Sequence, residues 1–269
     1  MNKSINKLFT LKNKNIIITG SAGRLGSEFS TILSEAGANI ILIDVDKKNN
    51  SKLEKHLQKK YKTKAKSYVT NIKNANEILE LKNNIANDFK NIHGLINNAH
   101  VSFSPKLKKF CLEDYPLSVW NEYLEIHLTG TFLMCKEFGP MMVNNNSGSI
   151  VNISSIYGIV GPDQKIYGKS RLFTPPSYSA VKSGILNLTR YFATYWEKKN
   201  VRVNTLTPGG VEDKKYQSSE FIKNYSSKTI LGRMAKKNDY NGAILFLMSD
   251  ASKYMTGSNL IIDGGWTAW

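Results

Sequence analysis

Residues 16–30, "IIITGSAGRLGSEFS", decide how the rest of the chain is read. An apolar run stops at Thr19, small residues follow, and a helix-period pattern begins near Arg24, so the stretch describes a strand, a tight turn and a helix. Backbone N–H groups at such a helix start can meet a pyrophosphate, although glycine-rich turns also serve as plain connectors. Context is needed to choose. Short apolar runs recur at 39–44 (NIILID), 67–70 (SYVT), 94–97 (GLIN), 149–154 (SIVNIS), 201–207 (VRVNTLT) and 259–263 (NLIID), with candidate helices between them. That rhythm predicts an α/β protein with a parallel sheet wrapped by helices on both faces. No linker, composition break or repeat divides it, so residues 1–269 read as a single domain. The two longest loops, 156–176 and 208–238, follow late strands, where such folds carry their binding sites.

The bulk composition narrows the function classes. The chain has 269 residues, 41% of them hydrophobic, and a net charge of +16. No stretch approaches the roughly 18 apolar residues of a membrane span, and "MNKSINKLFTLKNK" lacks the apolar centre of a signal peptide, so a cytoplasmic protein without membrane association is expected. The basic run 47–66 carries Leu53 and Leu57 at helical spacing and reads as a solvated helix face rather than a nucleic-acid site. Cys111 and Cys135 stand far apart with no His or Cys at ligand spacing, which predicts neither disulfide nor structural metal.

Asp44 closes the second apolar run, about two dozen residues after the turn. A carboxylate there can bind adenosine ribose hydroxyls and repel a 2′-phosphate, although it can also simply cap the next helix. Arg24 pulls the other way, since a guanidinium beside the turn can hold that phosphate. The balance predicts NAD(H) in preference to NADP(H).

A second stretch, "SYSAVKSG" at 177–184, puts Tyr178 and Lys182 on one helix face. Spacing alone decides little, because "YWEKK" sets Tyr195 and Lys199 equally far apart. Only the first pair follows a strand ending in hydroxyls, Ser154 and Ser155 of "GSIVNISS". An ammonium beside Tyr178 lowers the phenol from its usual pKa of about 10 towards neutrality, making it a usable acid–base.

Taken in order, "TGSAGRLG", "NNAH" at 97–100, "NISS" with "YSAVK", "VRVNTLTPGG" and "IIDGGW" resemble the motifs of the short-chain dehydrogenase/reductase family over nearly the whole chain. The resemblance implies a Rossmann-like, doubly wound parallel sheet of seven strands, hydride transfer with a nicotinamide cofactor, and a homodimer or homotetramer. It implies that Ser155 holds the substrate oxygen, Tyr178 exchanges its proton, and Lys182 tunes the phenol and binds the nicotinamide ribose. Gly20, Arg24, Leu25, Gly26, Asp44, Asn71, Ile72, Asn98, Ala99, Pro208, Gly209 and Val211 complete the implied cofactor site. Of the adjacent serines, alternation sends Ser154 into the sheet packing and Ser155 towards the substrate.

The chain departs from the family pattern in places. Arg24 replaces the middle turn glycine, His100 ends "NNAH", Asn71 stands for an aspartate, and Asp213 for the threonine after the Pro-Gly loop. His127 occupies the position of the family's catalytic asparagine, where it either joins the proton relay with its own near-neutral titration or packs as a structural histidine. These changes leave open a non-catalytic NAD(H)-binding regulator or scaffold.

The segment between Ser155 and Tyr178 is longer than the family's. Its excess, "GPDQKIYGKSRLFTPP" (161–176), offers Tyr167 as a platform for a sugar ring and Arg171, Lys165 and Lys169 as anchors for a phosphate, or else is a plain surface or oligomer loop. This loop and the ending "IDGGWTAW" resemble oxidoreductases of bacterial surface-sugar pathways, notably flagellin-modification proteins of the legionaminic-acid type. A phosphorylated or nucleotide-linked sugar is then the expected small-molecule substrate. The alternative enzyme is a 3-oxoacyl carrier-protein reductase, whose acidic partner the basic charge also suits.

Overall fold

The computed structural model describes residues 3–101, 112–170 and 172–269. Seven strands form one parallel sheet: β1 (Asn15–Thr19), β2 (Asn39–Asp44), β3 (Ala65–Val69), β4 (Gly94–Asn97), β5 (Gly148–Ile153), β6 (Val201–Pro208) and β7 (Asn259–Ile262). Their order is β3-β2-β1-β4-β5-β6-β7, a doubly wound single domain whose strand order reverses between β1 and β4. The seven apolar runs in the sequence are these seven strands. Nine helices are described: α1 (Lys3–Phe9), α2 (Arg24–Glu35), α3 (Lys47–Tyr61), α4 (Ala75–Asp88), α5 (Leu117–Tyr123), α6 (Gly130–Asn144), α7 (Pro176–Tyr195), α8 (Ser219–Ser226) and α9 (Asn241–Met248).

The central strands read as unbroken apolar runs because both of their faces are covered. On one face Ile17, Ile43, Leu95 and Ile150 pack with Phe138 of α6 and Phe192 of α7. On the other Ile18, Leu42, Ile96 and Val151 pack with Phe29 and Leu33 of α2 and Ile244 of α9. Beneath the carboxyl ends of the strands runs a buried polar chain. Asn97 of β4 donates to Asn152 of β5 at 2.8 Å, Asn152 donates to Thr189 of α7 at 2.9 Å, and Thr205 of β6 donates to Thr189 at 2.8 Å.

The basic run forms α3. Its buried residues are Asn50 and Leu57, and most of its lysines face water, as expected of a solvated face. Asp46 caps it by accepting from the Asn49 N–H at 3.0 Å, and Asp44 Oδ1 in turn accepts from the Asp46 N–H at 2.9 Å, so Asp44 both supports the start of α3 and faces the turn after β1. Between α5 and α6 the chain makes one π-helical turn, Leu124–Thr129, a local widening of the helix that often accompanies functional residues and here carries His127. Cys135 is a buried free thiol whose pKa burial pushes up to about 12; Cys111 lies outside the described residues. No helix among the described residues is long and apolar enough to cross a membrane.

Candidate active site

The site grows from the end of β5. Ser154 turns back into the fold, its hydroxyl donating to the Lys182 carbonyl at 2.8 Å. Ser155 is extended and begins a 3-10 turn (Ile156–Gly158), its Oγ accepting from the Tyr157 N–H at 3.3 Å. The two serines therefore divide as alternation predicts. Gly158 lets this turn press on α7, since a Cβ there would lie 2.6 Å from Ser154 Oγ and 2.7 Å from the Lys182 carbonyl oxygen.

Helix α7 starts at Pro176, whose ring fits the first helical turn, and buries Val181, Ile185, Thr189 and Phe192 against the sheet. That fixes the helix face on which Tyr178 and Lys182 stand. Lys182 is 4% exposed; its Nζ donates to the Ile153 carbonyl at 2.8 Å and lies 5.7 Å from the centre of the Tyr178 ring. Burial without a carboxylate partner pushes the Lys182 pKa down to about 7. Burial raises the Tyr178 phenol above its ordinary value, and the Ser155 hydroxyl, close enough to hydrogen-bond it, partly offsets this. The expected lowering of the phenol is thus not found: desolvation disfavours charge on both partners, and the lysine points at a backbone carbonyl.

His127 stands behind this pair at 1% exposure. Its Nε2 accepts from the Val101 N–H at 3.3 Å, which leaves the proton on Nδ1, where it meets no partner among the described residues. The ring stacks on Tyr123 at 5.5 Å and meets Tyr178 edge-on at 6.0 Å. Burial, then the nearby Lys182 and His100, hold its pKa well below 6.5, so the near-neutral titration anticipated for it does not occur in this environment. Ser155, Tyr178, Lys182 and His127 thus converge. Tyr195, by contrast, is 67% exposed and stacks on Tyr191.

On the other side of the cleft the turn after β1 is held by the "NNAH" segment. Thr19 Oγ1 accepts from the N–H groups of Asn98 and Ala99 at 3.0 and 3.1 Å, and Asn98 Nδ2 returns to the carbonyls of Thr19 and Gly20, each at 3.1 Å. Gly20 adopts φ 63° with no room for a side chain: a Cβ would sit 2.7 Å from Ala99 Cα. At Gly26 a Cβ would sit 2.1 Å from the Gly20 carbonyl oxygen. Gly23, the N-cap of helix α2, offers no side-chain cap, leaving the first-turn donors for an anion. Asp44 reaches the same turn, accepting from the Ala22 N–H at 2.9 Å. This donor set fits a dinucleotide, with the pyrophosphate at the start of α2 and the ribose at Asp44. Asn71 lies farther out; its Oδ1 accepts from the Lys73 N–H, while its neighbour Ile72 packs under Gly130.

Both sides open on one cavity of about 810 Å³. Arg24, Leu25, Asn98, Pro208, Gly209 and Val211 line its cofactor side, and Ser155, Tyr178 and Lys182 lie at its centre. Much of the remaining wall is aromatic, with Tyr123, Tyr157, Tyr167, Tyr216, Phe221 and Tyr225 set among residues such as Ile156, Leu172, Thr174, Gln217 and Met234. Tyr167 stacks on Phe221 at 5.3 Å and hydrogen-bonds Thr174 at 2.8 Å. Lys165 and Lys169, offered by the sequence as phosphate anchors, are exposed and absent from this wall, because the 3-10 turns at Gln164–Ser170 direct Ile166 and Tyr167 inward instead. Arg171 lies outside the described residues. Sequence reasoning missed the tyrosines at 123, 157 and 225; the long segment 208–238 was the available signal for the last. It also missed that two of the departures, Arg24 and Asp213, form an ion pair.

Comparison with known proteins agrees with this geometry. The family model described as enoyl-(acyl carrier protein) reductase matches residues 20–267. The chain is 31% identical to a 3-oxoacyl-(acyl-carrier-protein) reductase of Thermotoga maritima, covering 95% of this chain and 98% of that one. It is 31% identical to a sorbose reductase of Candida albicans, covering 97% and 89%. It is 28% identical to post-translational flagellin modification protein A of Campylobacter coli, covering 95% and 99%. A crystal structure of a short-chain dehydrogenase from Leptospira borgpetersenii with bound NAD+ superposes with a TM-score of 0.85 at 33% identity, covering 99% and 97%.

Proposed function

Because the chain belongs to the short-chain dehydrogenase/reductase family and is an NAD(P)-dependent oxidoreductase, we propose that it interconverts a hydroxyl and a carbonyl on a sugar-type substrate, with NAD(H) preferred. The observation that carries this reading is the contact of Ser155 with Tyr178, one helical turn from Lys182, at the centre of an aromatic-walled cavity. A bound nicotinamide supplies or accepts the hydride. Ser155 holds the substrate oxygen. Tyr178, kept protonated by burial, donates to that oxygen during reduction; for oxidation it first passes its own proton towards Lys182 and then, as phenolate, takes the proton of the substrate hydroxyl. Lys182 returns the proton to the phenol and binds the cofactor ribose. His127, neutral and tied to Val101, positions the backbone beside the phenol instead of titrating.

Tyrosine rings suit the CH faces of a sugar, and their hydroxyls suit its OH groups. The sorbose reductase and flagellin-modification relatives support the sugar class. A phosphoryl or nucleotidyl group on that sugar rests on Arg171 alone, since Lys165 and Lys169 face away. The turn contact of Asp44 supports NAD(H), as does the NAD+ bound to the Leptospira relative. Residues 156–176 form the substrate loop, and the working unit is a cytoplasmic homodimer or homotetramer.

The Thermotoga relative and the charge of +16 favour a second reading, reduction of a 3-oxoacyl group on an acidic carrier protein. A panel of ketoses, alditols and sugar phosphates set against acetoacetyl thioesters, with NADH consumption or formation as the signal, decides between them. Turnover of thioesters alone would replace the sugar reading. NADH binding with no turnover across the panel would instead support a regulator.

A further inference from the structure

The cofactor groove is crossed by a contact in which none of Ser155, Tyr178, Lys182 and His127 takes part. Arg24, the first residue of α2, reaches the loop after β6, where its Nη2 pairs with the Asp213 carboxylate and its Nη1 donates to the Val211 carbonyl at 3.2 Å. The carboxylate is aimed by its own turn: the Asp213 N–H donates to Gln217 Oε1 at 2.6 Å, and Asp213 Oδ1 accepts from the Lys215 N–H at 3.0 Å. Gln217 Nε2 closes the knot on the Val211 carbonyl at 3.0 Å. Arg24, Val211 and Gln217 all stand in the cavity wall. Each end of the ion pair is a residue at which this chain departs from its family.

The pair is poorly placed to hold once a dinucleotide arrives. Its side chains are 37% and 21% exposed, and an ion pair so open to water contributes little. A pyrophosphate at the uncapped start of α2 offers Arg24 a more highly charged, bidentate partner, supported by the helix dipole. Resting on the NAD(P) assignment, we propose that Asp213 is a surrogate anion. It holds Arg24 across the groove in the free protein and yields it to the cofactor's pyrophosphate, so that binding the dinucleotide and untying residues 211–217 are one event.

Fluorescence titration with NADH, and displacement by ADP-ribose, test this. Asp213→Asn removes the competing carboxylate and is expected to tighten both ligands about 2- to 5-fold, the ratio an exposed ion pair supports. Asp213→Glu restores wild-type affinity. Arg24→Met weakens binding, and adding Asp213→Asn to it brings no further gain. An unchanged or weakened affinity in Asp213→Asn overturns the proposal, as does a gain that persists beside Arg24→Met. A gain confined to NADH also overturns it, because ADP-ribose carries the pyrophosphate without the nicotinamide. Failure of the wild type to bind NADH would remove the cofactor assignment itself, and this proposal with it.

Discussion

Helix α7 carries the same residue pair twice. Tyr178 and Lys182 sit near its start, while Tyr195 and Lys199 straddle its end, with identical spacing. Near the start, the hydroxyl of Ser155, the carbonyl of Ile153 and the edge of His127 surround the pair. At the end, Tyr195 and Lys199 face water, and Tyr195 lies beside the rings of Tyr191 and Trp196. Spacing brings a phenol and an ammonium onto one face. Desolvation and fixed neighbours give them altered proton affinities, and those come from the sheet edge against which the helix packs.

The sharpest break in that comparison is removal of the phenolic oxygen. Tyr178→Phe is expected to lower turnover by about 100- to 10,000-fold, the usual contribution of a proton-transfer group, while NADH affinity measured by fluorescence stays within a few-fold. Tyr195→Phe leaves both unchanged; equal damage from the two substitutions would displace the active site from the start of α7.

Prying the helix from the strand comes next. Gly158→Ala sets a methyl group against Ser154 Oγ and the Lys182 carbonyl, and overpacking of that kind costs about 1–3 kcal/mol. Chemical denaturation reads the loss. A larger fall in kcat than in NADH affinity shows that the spacing of Ser155 from Tyr178 has been disturbed.

Lys182 supplies a pH test. Its folded pKa of about 7 lies below the 10.5 of a free lysine, so between these values the unfolded chain holds a proton that the folded one has released. Stability therefore rises with pH across this window, and the penalty of the buried ammonium is full below pH 7. Thermal melts of the ligand-free protein at pH 7 and pH 9.5 should show this rise, and Lys182→Met should flatten it. The histidines with lowered pKa values act below the window; the Cys135 thiol, pushed up to about 12 from an ordinary 9, and the buried tyrosines, raised from 10, oppose the rise towards its upper end, so the difference between the wild type and Lys182→Met isolates the lysine.

The smallest effect belongs to the cofactor end. Asp44→Ala is expected to narrow the preference for NADH over NADPH in paired titrations, because it removes the carboxylate that repels a 2′-phosphate. A wild-type preference for NADPH would transfer that role to Arg24.

Much of this was legible in the chain because it is local. Ile16–Ile18, Ile40–Ile43 and Ile150–Val151 announce strands covered on both faces, and the glycine turn, the serine pair and "YSAVK" fall at strand ends where a doubly wound sheet gathers its site. What escaped was set by tertiary neighbours. Arg24 and Asp213 are 189 positions apart, and each alone reads as a defect in a motif. The inward turn of Tyr167, with Lys165 and Lys169 left in water, depends on a kink at Gly168 that periodicity does not register. The direction of the Tyr178 shift is set by burial of the phenol, only partly offset by Ser155, which spacing cannot specify.

The polar chain from Asn97 through Asn152 and Thr189 to Thr205 bears on how the sheet assembles. Isoleucine-rich strands can slide past one another with little penalty, since one branched side chain fills a neighbour's place almost as well as another. The amides cannot: displacing β5 by one residue along β4 would part Asn97 from Asn152 and turn the Asn152 amide to the opposite face, away from Thr189. These few hydrogen bonds thus act as alignment marks during folding, rejecting mis-threaded sheets that greasy contacts alone would accept.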